Sequence, residues 1–447
     1  MSDHLFYQSR LERPHLDRAD GIYMWDKSGK RYIDGSSGAM VSNIGHSNPR
    51  VLEAMRRQMD QSTFGYRLHF QTEASEALAS RAAALAPEGL NRVFFVSGGS
   101  EATESAMKLA RQYALARGEA QRSKVIARHP GYHGSTLGAL SVTGYAPLSA
   151  PFDPMMRAMP KIPAPRAYLD GLDPEDPATG AHYAQMLENR ILEEGPQTVL
   201  AFIVEPIGGA STGALVPPTG YLTRIREICD RYGVLLIHDE VMSGGGRTGL
   251  FFGADHWQVT PDLICLSKGF GGGYVPLGAV IAKDGIVDAV LDAGGFAHGH
   301  TYAGNPLACA AGLAVLDEIE RGDLTANAAR VGAMLAERLR DMMQKYPVIG
   351  DVRGKGLLMA FELMQDRQSK APLPPELNAY NRLVDIAYAN GLIIYSRRTR
   401  GGLSGDHFMV CPPMITTDEQ LEEITELLDR SLGEFVETLP ASALSET

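Results

Sequence analysis

The stretch VLLIHDEVMSGGGRTGLFFGADHWQVTPDLICLSKGFGGGYVPLGAV, residues 234–280, decides the fold. It opens with a short apolar run, VLLIHDE (234–240), that ends in the acidic pair Asp239 and Glu240. A second run, DLICLSK (262–268), ends at Lys268 and leads into glycines, and a third, LGAVIA, begins at 277. Such runs, rich in branched residues and bounded by glycine, read as strands buried on both faces. The same kind of run recurs upstream in RVFFV (92–96), KVIA (124–127) and TVLAFIV (198–204). Between them lie helix-length patterns such as EATESAMKLARQYALARG and GYLTRIREICDRYG. In the second of these Leu222, Ile225, Ile228 and Cys229 fall at helical spacing and Gly233 stops the helix. Strand–helix alternation predicts an α/β fold with a mostly parallel sheet covered on both faces. Ligands of such sheets sit beyond the carboxyl ends of the strands, and Asp239 and Lys268 both fall at such ends.

The two ends of the chain read differently. Residues 21–35, GIYMWDKSGKRYIDG, alternate apolar and polar residues around a turn at Lys27–Gly29, which predicts a hairpin. From about 320 onward ARVGAMLAERLRDMM, GDVRGKGLLMAFELM and DEQLEEITELLDRSLGEF predict a smaller α+β unit. The expected division is an N-terminal segment, 1–60, joining that small domain, a large domain at 61–320, and a C-terminal small domain at 321–447. The proline-studded stretches 146–165 and 371–377 are expected as loops, and the final LPASALSET as frayed.

Composition narrows the class. A chain of 447 residues, 44% hydrophobic and 21% charged, has the make-up of an ordinary globular protein. Its formal charge of −11 argues against nucleic acid or an anionic membrane as partner, since both need a basic footprint. The four cysteines, at 229, 265, 309 and 411, form neither a CxxC pair nor a zinc-like cluster. They are expected to be reduced, buried thiols of a cytoplasmic protein. No metal site is expected. The N-terminus has no apolar core of signal-peptide length, and no run approaches the length of a membrane helix.

An acid and a lysine at neighbouring strand ends are what pyridoxal phosphate chemistry requires. A lysine amine condenses with the cofactor aldehyde, and a carboxylate keeps the pyridine nitrogen protonated so that the ring accepts electrons. Either residue alone reads equally as a surface lysine or a strand-end acid. A phosphate cup precedes them: after RVFFV the chain runs Ser97-Gly98-Gly99-Ser100-Glu101-Ala102 into a helix. Small residues at a helix N-terminus present free N–H groups to an anion, although an ordinary helix cap looks the same. A dinucleotide site would need GxGxxG and an acid about 20 residues on, and neither is present, which disfavours a nicotinamide-dependent oxidoreductase. In Gly131-Tyr132-His133-Gly134 an aromatic ring flanked by glycines suits a planar cofactor, or a place in the core. Glu205, in Val204-Glu205-Pro206, ends the next strand at the same edge, as a structural acid or as a partner for a substrate-binding arginine. His300-Thr301 offers a further hydroxyl and N–H ahead of a small-residue helix.

In this order, SGGSEA, GYHG, VEPIGG, HDEV, SKG and HTYAGNPLA resemble the class III pyridoxal-phosphate-dependent aminotransferases, the ω-aminotransferase group, over nearly the whole chain. The resemblance implies fold type I, a small domain made from both chain ends, and a homodimer with active sites at its interface. It implies Lys268 as the Schiff-base lysine and Asp239 as the partner of the pyridine nitrogen, with His133 beside them. Val241 and Tyr132 would sandwich the ring. Gly99 and Ser100 would hold the phosphate, joined by Thr301 from the neighbouring subunit, and Glu205 would lie near the substrate carboxylate. The family commonly has Asn-Ser-Gly-Ser where this chain has Ser97-Gly98-Gly99-Ser100; the backbone contacts survive that change and one side-chain contact is lost.

The implied reaction moves an amino group from an amine or ω-amino acid donor to a keto acid, pyruvate or 2-oxoglutarate, by a ping-pong mechanism. An aminomutase or a decarboxylating transaminase of the same fold shares these cofactor residues. One pocket must then take both donor and keto acid, and arginine suits the carboxylate through its planar fork. Arg397, Arg398 and Arg400 are the candidates, or together form a solvated basic loop. Family members carry a mobile arginine nearby, in a shorter segment before a similar Gly-Asp. Met40 stands where arylamine-accepting relatives have tryptophan, giving a softer wall for flexible aliphatic amines or merely filling the core. Arg67 and His69 are placed to reach the pocket mouth or the partner subunit.

Overall fold

The computed structural model describes residues 4–440. Its central sheet has seven strands in the order Arg92–Val96, Gly278–Ala282, Leu263–Leu266, Leu235–Asp239, Val199–Val204, Lys124–His129 and Lys161–Pro163. The four pairings from Leu263–Leu266 outward to Lys161–Pro163 are parallel. Gly278–Ala282 runs antiparallel to both its neighbours. The glycine-rich link 267–277 carries no crossover helix, and without one the chain cannot return parallel.

Every residue of Val199–Val204 is buried. Phe202 and Val204 enter one apolar cluster and Ala201 and Ile203 another, so side chains alternate into layers on the two faces of the sheet. The helices Gly99–Ala116 and Tyr221–Tyr232 lie in those layers, and Gly233 closes the second in the left-handed region (φ 61°). The stretch 146–165, expected as a loop, contains short helical turns and the strand Lys161–Pro163. Prolines are tolerated there because the strand is at the sheet edge.

The predicted hairpin is present as Tyr23–Asp26 paired with Arg31–Asp34, and Leu16–Asp20 adds a third strand. The late strand Leu392–Ile393 joins this sheet parallel to Arg31–Asp34, which ties the two chain ends together. A further antiparallel sheet runs Ile349–Lys355, Leu358–Asp366, Ser404–Val410, Tyr395–Arg400. In place of the loop expected at 371–377 there is a two-residue strand, Ala371–Pro372, and a turn of 3-10 helix, Pro375–Leu377. One face of that sheet packs under the helices Leu324–Lys345 and Asp418–Glu437, with Leu335, Leu339, Leu428 and Leu432 in one core. Of the LPASALSET tail, Leu439 packs against this core, and 441–447 lie outside the described residues. All four cysteines are buried and unpaired. Among the described residues no helix is long and apolar enough to cross a membrane, and no cluster has the makings of a metal site.

Candidate active site

Three consecutive parallel strands deliver three ionisable side chains to one edge of the sheet. Val199–Val204 is followed by Glu205, Leu235–Asp239 ends in Asp239, and Lys268 lies two residues beyond Leu263–Leu266. Lys268 sits in the left-handed region (φ 48°), a conformation an L-residue holds only where its surroundings impose it. Burial lowers its amine to about 8, against the opposing pull of Asp239 and Glu205. A minor but substantial fraction of the amine is therefore neutral, hence nucleophilic, near physiological pH.

Asp239 is held from two sides. Its Oδ1 accepts the Val241 N–H at 3.0 Å, and its Oδ2 lies 2.7 Å from His133 Nδ1. His133 is buried, its carbonyl accepts from Thr103 Oγ1, and its Nε2 has no partner. Glu205 accepts from Gly209 N (2.8 Å) and Tyr132 N (3.3 Å), while burial pushes its carboxyl up.

The cup at the start of Gly99–Ala116 is closed by the Gly134–Ser135 turn, whose Ser135 N–H donates to Ser100 Oγ at 3.0 Å. Tyr132 reaches the same turn through its hydroxyl, 2.8 Å from Ser135 Oγ. A Cβ on Gly99 would stand 2.8 Å from Val241 Cγ1, so only glycine lets the cup and Val241 meet. These residues fit pyridoxal phosphate: a partly neutral amine, a fixed carboxylate, and free N–H groups at a helix N-terminus for the phosphate.

The three arginines part company. Arg398 is spent on Asp406 Oδ1 (2.9 Å) and the Leu403 carbonyl within its own hairpin and on the carbonyl of Pro375 outside it. Arg400 bonds the carbonyl of Lys370. Arg397, on the opposite face of the strand, has no carboxylate partner; it donates to Ser396 O (3.2 Å), and its guanidinium lies 4.7 Å from the Tyr395 ring centre. The Tyr395 phenol is raised by burial, with smaller opposing influences from Arg397 and Tyr132. Met40 is 1% exposed, in a cluster with Ile207, Ala214, Met409 and Cys411.

Thr301 is exposed, on a surface that also shows Phe64, Leu68, Phe70 and Tyr302. Arg67 donates to the His300 carbonyl at 2.9 Å, and His69 packs edge-on to Tyr66. Sequence reading passed over Arg247, which is fully buried without a carboxylate partner. It donates to Asn43 Oδ1, Ser37 Oγ and the carbonyls of Leu357, Cys411 and Pro412. Its only signal was an arginine inside the glycine run that follows Asp239.

Comparison with known proteins agrees with this geometry. The family described as Aminotransferase class-III matches residues 7–432. The chain is 37% identical to a diaminobutyrate–2-oxoglutarate transaminase of Halomonas elongata, over 94% of this chain and 90% of that one. It is 34% identical to a putrescine–pyruvate aminotransferase of Pseudomonas aeruginosa, with the same coverage. An (S)-enantioselective omega-transaminase from Thermomicrobium roseum superposes with a TM-score of 0.90 at 36% identity, covering 97% of this chain and 96% of that one. The chain belongs to the class III aminotransferases and is a pyridoxal-phosphate-dependent transaminase.

Proposed function

We propose that the enzyme transfers an amino group from an aliphatic amine or ω-amino acid to pyruvate or 2-oxoglutarate, the two partners using one site in turn. The observation that carries this is Lys268, an amine brought to about 8 beside Asp239 and Glu205 at one edge of the sheet, and Arg397, which has no carboxylate partner among the described residues, is the cation offered to an acid substrate. Relatives named for a diamine with pyruvate and for diaminobutyrate with 2-oxoglutarate support that pair of substrate classes.

When bound, pyridoxal phosphate supplies an aldehyde to take up the amino group and a ring that absorbs electron density from the substrate carbon. Lys268 Nζ removes the proton from that carbon and returns it one position along, as a general base and then a general acid. The Asp239 carboxylate, fixed by His133 and the Val241 N–H, would hold the proton of the ring nitrogen. Gly99 and Ser100 would hold the phosphate through the backbone N–H groups of the helix N-terminus, and Val241 and Tyr132 would confine the ring. Arg397 takes the carboxylate of the keto acid. With an uncharged donor chain it turns aside against Tyr395, and Glu205 offers it a carboxylate in exchange.

A second copy of the chain completes the site. Its Thr301 would reach the phosphate cup, and the exposed Phe64, Leu68, Phe70 and Tyr302 around Thr301 supply the apolar contact. Four buried thiols with no disulfide suit the cytoplasm as the working compartment.

The test is the absorption spectrum of the purified enzyme with an excess of a simple amine donor. Bleaching of the yellow band, and its return on adding pyruvate or 2-oxoglutarate, is the expected result and names the acceptor. A protein that stays colourless when supplied with pyridoxal phosphate overturns the assignment of Lys268.

A further inference from the structure

Away from the transamination site, a cavity of about 480 Å³ opens where the edge of the large sheet meets the small one. One wall is the segment 165–175, another the loop 212–217, and the third the small-sheet residues Asp351, Arg353 and Glu362. Its size is that of a small-molecule site.

The charges lining it fall into two groups. Arg353 is fully used: it pairs with Asp351 (2.6 Å) and Glu362 (2.9 Å) and donates to the carbonyls of Gly213 and Thr212. The remaining charges have no ion partner among the described residues. Arg166 makes no side-chain hydrogen bond, and its Nε is buried without an acceptor. The Lys370 ammonium rests 5.1 Å above the Tyr168 ring, with no hydrogen-bond acceptor among the described residues. Two exposed carboxylates, Asp173 and Glu175, line the same cavity; among the described residues they accept the Glu175 N–H (2.9 Å) and a long bond from the Thr219 hydroxyl (3.4 Å). Leu169, Leu172, Leu215 and Val216 supply the apolar lining.

A buried guanidinium nitrogen with no acceptor is costly, and a ligand carboxylate removes that cost. A simple anion satisfies the cations but meets the two carboxylates unfavourably, whereas a zwitterion answers both. We propose that this cavity is a second binding site, for a zwitterionic amino acid with an apolar side chain. The ligand carboxylate lies with Arg166 and Lys370, its ammonium faces Asp173 and Glu175, and its side chain meets the leucines. The site adjoins catalysis without sharing its groups. Arg353 ties the cavity wall to Thr212 and Gly213, in the loop whose Gly209 N–H holds Glu205.

The experiment is calorimetric titration of the holoenzyme with N,N-dimethyl-L-leucine, a zwitterion whose tertiary amine cannot be transferred, beside N-acetyl-L-leucine, which keeps only the carboxylate. The expected result is saturable binding of one dimethylleucine per chain. Affinity should fall roughly tenfold for N-acetylleucine and roughly tenfold again in Arg166→Gln or Lys370→Gln, the loss of one charge-assisted contact. Neither cation supports the fold through a bond, so both variants should fold and keep their basal transamination. Binding in Arg397→Gln should be unchanged. Absence of saturable binding, equal affinity for N-acetylleucine, insensitivity to either cation variant, or loss confined to Arg397→Gln would each overturn the proposal. The last outcome would place the ligand in the transamination site.

Discussion

At the residue scale Lys268 makes the sharpest commitments. Lys268→Ala should cut turnover by more than about 1,000-fold, the scale of losing both attachment and proton transfer, with the fold unchanged by circular dichroism. The pH dependence follows from burial. Because the amine is lowered from its ordinary value to about 8, its neutral fraction grows as pH rises through 8. Capture of pyridoxal phosphate by the cofactor-free protein should therefore speed up with a midpoint near pH 8; a rate still climbing at pH 10 would show an unshifted lysine. Asp239→Asn should slow single-turnover proton transfer by about 100-fold or more while cofactor affinity changes far less, since the phosphate cup is untouched. The placement of Lys268 and Asp239 at neighbouring strand ends was legible in the sequence because each closes a buried apolar run. The choice among Arg397, Arg398 and Arg400 was not. It turns on the hairpin register that sets Arg398 opposite Asp406 and Arg397 opposite His407, and no local pattern encodes that pairing.

At the scale of elements, the buried parallel strands were readable almost to the residue, since a run apolar on both faces and bounded by glycine has few other readings. TVLAFIV became Val199–Val204 and the run at 234–240 became Leu235–Asp239. What escaped were short elements held by tertiary partners, Lys161–Pro163 and Leu392–Ile393, whose few residues carry no period of their own. The contact between the helix Gly99–Ala116 and the turn after Leu235–Asp239 is likewise invisible in one dimension. Gly99 and Val241 meet there, with 2.8 Å left for a Cβ. Gly99→Ala should cost about 1–3 kcal/mol through overpacking and loosen cofactor binding. Val241→Ala in the same chain should restore part of both, because it removes the methyl groups the new Cβ strikes. A double-mutant cycle on cofactor dissociation measures the coupling, and strictly additive effects would mean that the two residues do not share the contact.

For the whole molecule, the three sheets are locked together beside the strand edge that carries Asp239 and Lys268, and Arg247 is where they meet. It bonds the N-terminal segment at Ser37 and Asn43 and the small domain at Leu357, Cys411 and Pro412, from a glycine turn just past Asp239. Removing its guanidinium strands several buried acceptors at once, so Arg247→Met should lower stability by at least about 3 kcal/mol, read as a shift in the denaturation midpoint. Arg247→Lys should lose less, since an ammonium keeps some of these bonds but cannot fork to them all. A second readout separates a fastener from a residue that also tunes the site. Arg247 is among the groups that lower the Lys268 amine, after burial. Taking a cation away from a neighbouring amine favours the protonated form. In Arg247→Met, measured well below its unfolding transition, the midpoint for cofactor capture should therefore move above pH 8, with Arg247→Lys staying near the parent. A midpoint unchanged in a destabilised Arg247→Met would confine this arginine to holding the domains together. A shifted one would show that the joint between the sheets also sets the charge of the Lys268 amine.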